Sequence, residues 1–208
     1  MKYYRYIIWM FGLILLGCNA KTSQQKTPEF TIEYAQISIP NQEIQKSLLT
    51  YDKQTSLWKY KGELYSGYAT SFYKDDTIKD KIGFVNGRKQ GKALKWFLDG
   101  ELKEVANYHK GKLHGEKKVW SSEEHHNLLS HLQYYSGQPH GEQKQWYQTG
   151  EIYKVLHLNM GKEEGLQQAF RRNGDLYANY EAKNGRIFGL KKAALCYGLK
   201  EEKINYKK

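Results

Sequence analysis

A glycine recurs along this chain at a nearly constant interval. Gly67, Gly91, Gly115, Gly141, Gly165 and Gly189 are separated by 24, 24, 26, 24 and 24 residues. A period of this size means that one supersecondary unit is built several times, each burying its apolar face with the help of its neighbours. Other residues keep the same beat. Five positions after each glycine stand Phe72, Trp96, Trp120, Trp146, Phe170 and finally Ala194. Nine positions after it, three units carry a second glycine, in Asp99-Gly100, Thr149-Gly150 and Asn173-Gly174. Four positions before each following repeat glycine come Gly87, Gly111, Gly137, Gly161 and Gly185. The first unit has Asp75, Asp76 and Thr77 without a glycine, and the third replaces its turn with 121–127, which holds the two extra residues.

Each unit therefore reads as two strands and two tight turns, with about eight residues for each strand, an ordinary length. Asp-Gly and Asn-Gly suit hairpins because a type I′ turn needs φ > 0 at both central residues, and the repeat glycines read as turn positions too. In the second strand of each unit, Ile78, Leu102, Leu128, Ile152 and Leu176 are followed four residues on by Ile82, Ala106, Leu132, Leu156 and Tyr180. Two further on come Phe84, Tyr108, Tyr134, Leu158 and Ala182. These offsets share one parity and so one face of a strand. The other parity is mostly polar: Lys79 and Lys81, Lys103 and Asn107, His131 and Gln133. The expected fold is all-β, an elongated antiparallel meander of about six hairpin units with one buried and one wet face. Abundant Tyr (18) and Gly (19) with only 3 Pro agree with strands and frequent turns.

The residues Gly91, Lys92, Ala93, Leu94, Lys95, Trp96, Phe97, Leu98, Asp99, Gly100, Glu101 and Leu102, followed by Lys110, Gly111, Lys112, Leu113, His114 and Gly115, resemble the MORN repeat variants of bacteria. The stretch from Leu57 to Gly67 resembles a common opening of such arrays. The resemblance covers residues 57–195 and implies a β-hairpin repeat domain. In the last unit Ala194 replaces the aromatic and the second strand fades into Lys200, Glu201, Glu202 and Lys203, so residues 196–208 read as a C-terminal cap or tail. Some bacterial members of the family carry a toxin–antitoxin label, as the antitoxin. That implies neutralisation of a partner protein.

The first 17 residues read as a targeting segment. Lys2 and Arg5 precede an apolar run from Ile7 to Leu16, which is a signal-peptide length and too short to span a bilayer comfortably. The run ends in Leu15, Leu16, Gly17 and Cys18, which resembles the lipobox of bacterial lipoproteins. The resemblance implies cleavage between Gly17 and Cys18 and lipid on Cys18. Several acyl chains make a tether effectively permanent, since each buried CH₂ adds about 0.8 kcal/mol. Asn19, rather than Asp, leans the sorting toward an outer membrane over an inner one. Residues 18–29 read as the lipidated cysteine and a flexible tether, and residues 30–56 as an N-terminal cap. Within that cap Phe30 to Ile39 suits one strand, and Ile44 to Leu49 fits either class. An envelope address means that any antitoxin-like partner lies in the envelope.

Lys and Arg number 33 against 22 Asp and Glu. Only Lys2 and Arg5 of these fall in the signal segment, so the excess persists. Export argues against nucleic acid, leaving anionic lipid, envelope glycans or an acidic protein face as partners. A bland alternative is that Lys keeps the strands soluble and blocks edge pairing. If Cys18 is acylated, Cys196 stands alone, and a small buried apolar residue outweighs a thiol or metal role. No Cys-x-x-Cys, His-Glu-x-x-His or Gly-x-Ser-x-Gly occurs, and the glycines are periodic rather than phosphate-cradling. No enzyme and no cofactor is expected. His125, His126 and His131 cluster with Glu123 and Glu124, but a solvated loop explains them as well as a metal site does. His114 and His140 precede repeat glycines at equivalent positions, which favours a structural role. The aromatics Phe72, Trp96, Trp120, Trp146 and Phe170 are the candidate binding face, or ordinary cross-strand packing. The leading expectation is a non-catalytic scaffold lipoprotein that binds an envelope protein. Glycan or anionic-lipid binding and a Cys196 thiol or metal accessory role are the alternatives.

Overall fold

The computed structural model describes residues 37–190 apart from residue 124. The signal segment, Gly17, Cys18, the tether, Ala194 and Cys196 lie outside the described residues. The strands are β1 (Glu43–Gln45), β2 (Leu49–Asp52), β3 (Leu57–Tyr60), β4 (Glu63–Leu64), β5 (Gly67–Phe72), β6 (Ile78–Val85), β7 (Arg88–Trp96) and β8 (Leu102–His109). They continue as β9 (Lys112–Trp120), β10 (Leu128–Tyr135), β11 (Gln138–Trp146), β12 (Ile152–Asn159), β13 (Lys162–Glu163), β14 (Gly165–Phe170), β15 (Leu176–Lys183) and β16 (Arg186–Leu190). A 3₁₀ turn, Lys46–Leu48, links β1 to β2.

The described chain is all-β. A 13-stranded sheet runs in sequence order from β5 to β16, with β13 paired to β12 beside β14 and β1 added to the edge at β5. β1 runs parallel to β5, and the succeeding pairs are antiparallel. A second sheet, β2-β3-β4, spans the boundary at residue 57, so the N-terminal cap and the start of the repeat share it.

The turns divide into two kinds, and not as the sequence suggests. Positive φ at both central residues falls at Asn86-Gly87 (48° and 70°), Lys110-Gly111 (50° and 86°), Ser136-Gly137, Met160-Gly161 and Asn184-Gly185. These are the I′-like hairpins. At Asp99-Gly100, Thr149-Gly150 and Asn173-Gly174 only the glycine has positive φ. There Gly100 N–H donates to Phe97 C=O (3.1 Å) and Phe97 N–H to Glu101 C=O (2.8 Å), a three-residue loop with glycine in the bulge position. Asp76, at φ +64°, fills that glycine's place in the first unit. The third unit's longer loop closes through Ser121 N–H to Asn127 C=O at 2.9 Å.

The repeat glycines are not turn residues. Gly91, Gly115 and Gly141 sit inside β7, β9 and β11, where the register slips. Ile82 faces Ala93 but Phe84 faces Lys89, so β7 uses four residues where β6 uses two. The same slip separates Ala106–Lys117 from Tyr108–Leu113 and Leu132–Gln143 from Tyr134–Pro139. A bulge of this kind accommodates positive φ (70°, 90° and 89° here), which glycine adopts without a Cβ clash. On the following strand five of the six repeat glycines face a column residue: Gly67–Phe84, Gly91–Tyr108, Gly115–Tyr134, Gly141–Leu158 and Gly165–Ala182.

The column residues read from the sequence do share a face. One row crosses the sheet through Ala69, Ile82, Ala93, Ala106, Lys117, Leu132, Gln143 and Leu156. Burial along it is uneven, however. Leu49, Tyr65, Ala69, Ile82, Phe84 and Ala93 form a core at the first strands. Ala169, Ala178, Tyr180 and Ala182 form another at the last. Between them, every residue of β10 from Leu128 to Tyr134 is half-buried, whichever way it points. The expected division into one buried and one wet face therefore fails in the middle of the sheet. The reason is cover. At β5–β7 Trp58 of the small sheet and Tyr65 just after it pack against the Phe84 ring (5.8 and 6.0 Å), whereas neither core includes a residue of β9 or β10.

Candidate functional site

The aromatic row lies at the mouths of the loops that join the two strands of each unit, three residues long in four units and longer after Trp120. One extra residue in the following strand, directly after its first column residue, brings each aromatic opposite the column: Phe72–Ile78, Trp96–Leu102, Trp120–Leu128, Trp146–Ile152 and Phe170–Leu176. The structure thus places all five predicted aromatics in equivalent cross-strand pairs. They are neither solvent-free nor a bare platform. Phe72 is 46% exposed, while Trp96, Trp120, Trp146 and Phe170 are half-buried. Leu98 and Leu176 add apolar surface at the same end, 57% and 43% exposed.

The residue after the aromatic locks one unit to the next. Tyr73 Oη donates to Trp96 C=O at 2.8 Å, and Tyr147 Oη donates to Phe170 C=O at 2.9 Å. Cations cover the neighbouring rings: Lys79 over Tyr73 (5.4 Å), Lys103 over Phe97 (5.2 Å) and Arg172 over Tyr147 (5.4 Å). Such contacts hold the loop rim in one arrangement and leave apolar edges facing out.

The lysines alternating with the row do not make it basic. Lys95 pairs with Glu104 (3.0 Å), Lys118 with Glu116 (3.0 Å) and Lys144 with Glu142 (2.7 Å). Lys117 also reaches Glu104 at 3.4 Å. Burial pushes the Glu104 carboxyl up, but Lys95 and Lys117 outweigh it and hold the group below the ordinary value.

The histidines disperse. His126 Nε2 approaches Asp99 in the preceding unit's loop (3.4 Å), and His131 Nε2 approaches Glu116 across the β9–β10 ladder (3.1 Å). Glu124 lies outside the described residues. Among the described residues no group of three or more His, Cys, Asp or Glu is placed to hold a metal ion. His114 and His140 belong to a series that begins with Gln90. Lys110 N–H donates to Gln90 Oε1 (2.9 Å), Ser136 N–H to His114 Nδ1 (3.3 Å) and Met160 N–H to His140 Nδ1 (3.4 Å). Each side chain thus satisfies a backbone donor in the following I′-like turn. His114 stacks between His109 (5.6 Å) and Tyr135 (5.1 Å). Burial, and then His109, lower the His114 pKa.

Two structural glutamines escape a reading by hydrophobic pattern. Gln143 and Gln167 stand two residues after repeat glycines, where earlier units have Ala69 and Ala93. Gln167 is fully buried. Its Nε2 donates to His157 C=O (2.7 Å) and Gly165 C=O (3.2 Å), and its Oε1 accepts from His157 N–H (3.1 Å). Gln143 Nε2 likewise donates to Gln133 C=O (2.8 Å) and Gly141 C=O (3.3 Å). These amides supply the partners that the bulge takes from the ladder. The available signal was a polar residue recurring on the apolar parity one period apart.

The geometry offers an aromatic rim and a polar, ion-paired sheet surface. A scan against protein-family models finds no match to the chain, and a search of curated proteins finds none either.

Proposed function

We propose that this protein is an envelope lipoprotein, tethered through Cys18, whose MORN-like repeat sheet is a non-catalytic scaffold for an envelope protein partner, in the manner of an antitoxin repeat protein. The observation that carries the reading is the partly exposed apolar rim of Phe72, Leu98 and Leu176 beside half-buried Trp96, Trp120 and Trp146. Aromatic and aliphatic side chains held in place at low entropic cost are the chemistry of protein-binding hot spots. Lys95, Lys118 and Lys144, which alternate with the row, are ion-paired, and Lys79, Lys103 and Arg172 lie over the neighbouring rings, so the apolar side chains favour contact over charge attraction alone.

The test is a cross-linked pull-down of the tagged, lipidated full chain from intact cells, washed at low and high salt. The expected result is a protein retained at high salt, where exposed charges are screened, and lost in a Phe72→Ser/Leu98→Ser variant. Recovery of salt-labile anionic material alone would sink the reading. For the anchor, Cys18→Ser should abolish incorporation of labelled fatty acid, and retained label would refute it.

A further inference from the structure

At the other end of the strands from the aromatic rim is a cleft of about 390 Å³. Asn86-Gly87 and Lys110-Gly111 close that end of β6–β9, and the small sheet borders it. Tyr51, Trp58, Arg88, Lys89, Lys110 and Lys112 line it. A nine-residue strand such as β7 separates the two ends by roughly 30 Å, so the cleft is independent of the rim proposed to bind protein.

Its charge is one-sided. Seven lysines outside the cleft meet a carboxylate within 4.0 Å, and others, such as Lys74 and Lys92, stand singly on the surface, whereas here four cations gather in one recess that no acid lines. Among the described residues, none of the four cations of the cleft meets a carboxylate within that distance. Lys89 is the most informative of them. Its equivalents in later units are Leu113, Pro139, Glu163 and Ile187, so a position that is mostly apolar in the repeat carries a cation only beside the small sheet. Lys89 Nζ stands over the Tyr108 ring, 5.0 Å from its centroid. Burial, and then the neighbouring Lys46 and Lys95, lower its pKa against the opposing pull of Glu104 and Asp80. Lys110 is likewise local to this unit, since its equivalents are Asn86, Ser136, Met160 and Asn184. Four cations gathered in one recess that no carboxylate lines repel one another, and a bound anion offsets that repulsion.

The remaining wall is aromatic. Tyr51 and Trp58 stand 5.0 Å apart, tilted at 46°, and Tyr51 is 47% exposed. We propose that this cleft binds a phosphorylated sugar, with the phosphate among Arg88, Lys89, Lys110 and Lys112 and the sugar ring against Tyr51. An arginine fork with flanking ammonium groups suits a phosphate. The recess has the volume of a small-ligand site, and it receives a compact ligand better than a broad headgroup layer.

Calorimetry on the full chain in detergent micelles tests this, with glucose 1-phosphate, glucose and inorganic phosphate as probes. Arg88→Ala/Lys110→Ala changes two exposed side chains and should leave the β-sheet circular dichroism intact. Lys74→Ala/Lys92→Ala removes equal charge outside the cleft. Glucose 1-phosphate should bind about tenfold or more tighter than either glucose or phosphate. The affinity should fall about tenfold in the cleft variant and stay unchanged in the control. Equal loss in both variants, equal affinity for inorganic phosphate, or a response only to phosphatidylglycerol vesicles would each overturn the assignment.

Discussion

An alanine methyl at Gly67 would stand 2.7 Å from both the Gln42 carbonyl oxygen and Tyr65 Oη, on a backbone with φ of +142°. A strained φ costs of order 1–3 kcal/mol before any clash is counted, and here one clashing atom is backbone. Gly67→Ala should lower the unfolding free energy by about 3 kcal/mol in urea titration, and a change under 1 kcal/mol would contradict the account. Gln167 makes a separate case. Gln167→Leu keeps the size but leaves His157 N–H, His157 C=O and Gly165 C=O without their side-chain partner. At about 1–3 kcal/mol for each buried group left unmade, the loss should exceed 2 kcal/mol, although Leu is the more apolar residue. A neutral result would mean that water replaces the amide. The two residues differ in legibility. Gly67 announces itself by its period, while Gln167 looks like surface until the bulge beside it is known.

Among the elements, the loops show where reading by motif goes astray. Asp99-Gly100 has the composition of a I′ hairpin, yet the I′-like geometry falls at Lys110-Gly111, Ser136-Gly137 and Met160-Gly161. The non-glycine residues there gain a backbone N–H partner from Gln90, His114 and His140 in the preceding unit. Long-range bonding thus stabilises a conformation that local propensity disfavours. This ladder has a pH dependence. The His114 pKa is lowered from 6.5 by burial and by His109, so the folded protein binds fewer protons there than the unfolded chain. Its contribution is present above pH 6.5 and lost as the pH falls through the depressed folded value. Protonation would also take Nδ1 away as an acceptor for Ser136 N–H. Glutamine serves the same role at Gln90 without titrating. His114→Gln should therefore match the parent at pH 7.5 and be the more stable of the two at pH 5 in thermal melts. An identical pH profile in both would exclude His114 as the source.

Across the described part of the molecule, the period was enough to read the class of fold and the facing of the columns, because both follow from residue spacing. The distribution of stability was not readable that way, because it depends on what covers each strand. Ile82 and Leu132 occupy equivalent places in the repeat and the same row of the sheet. By pattern they are interchangeable. Ile82 is 5% exposed in a core completed by Leu49, Tyr65 and Phe84. Leu132 is half-buried, with Lys117 on one side of it and Gln143 on the other. Truncating a core aliphatic to alanine costs about 2–5 kcal/mol, through lost transfer free energy and the cavity left behind. At Leu132 no closed cavity forms, and part of the side chain is already hydrated. Ile82→Ala should therefore destabilise by about 3 kcal/mol and Leu132→Ala by about 1 kcal/mol, both measured on the full chain by urea titration. A sheet whose strands rely mainly on nearest neighbours should also report the difference locally. Amides of β6 and β7 should lose hydrogen-exchange protection in Ile82→Ala, while those of β14 and β15 keep theirs. If instead both substitutions lowered protection evenly from β5 to β16, the sheet would open as one unit and the separation into two end cores would carry no energetic meaning.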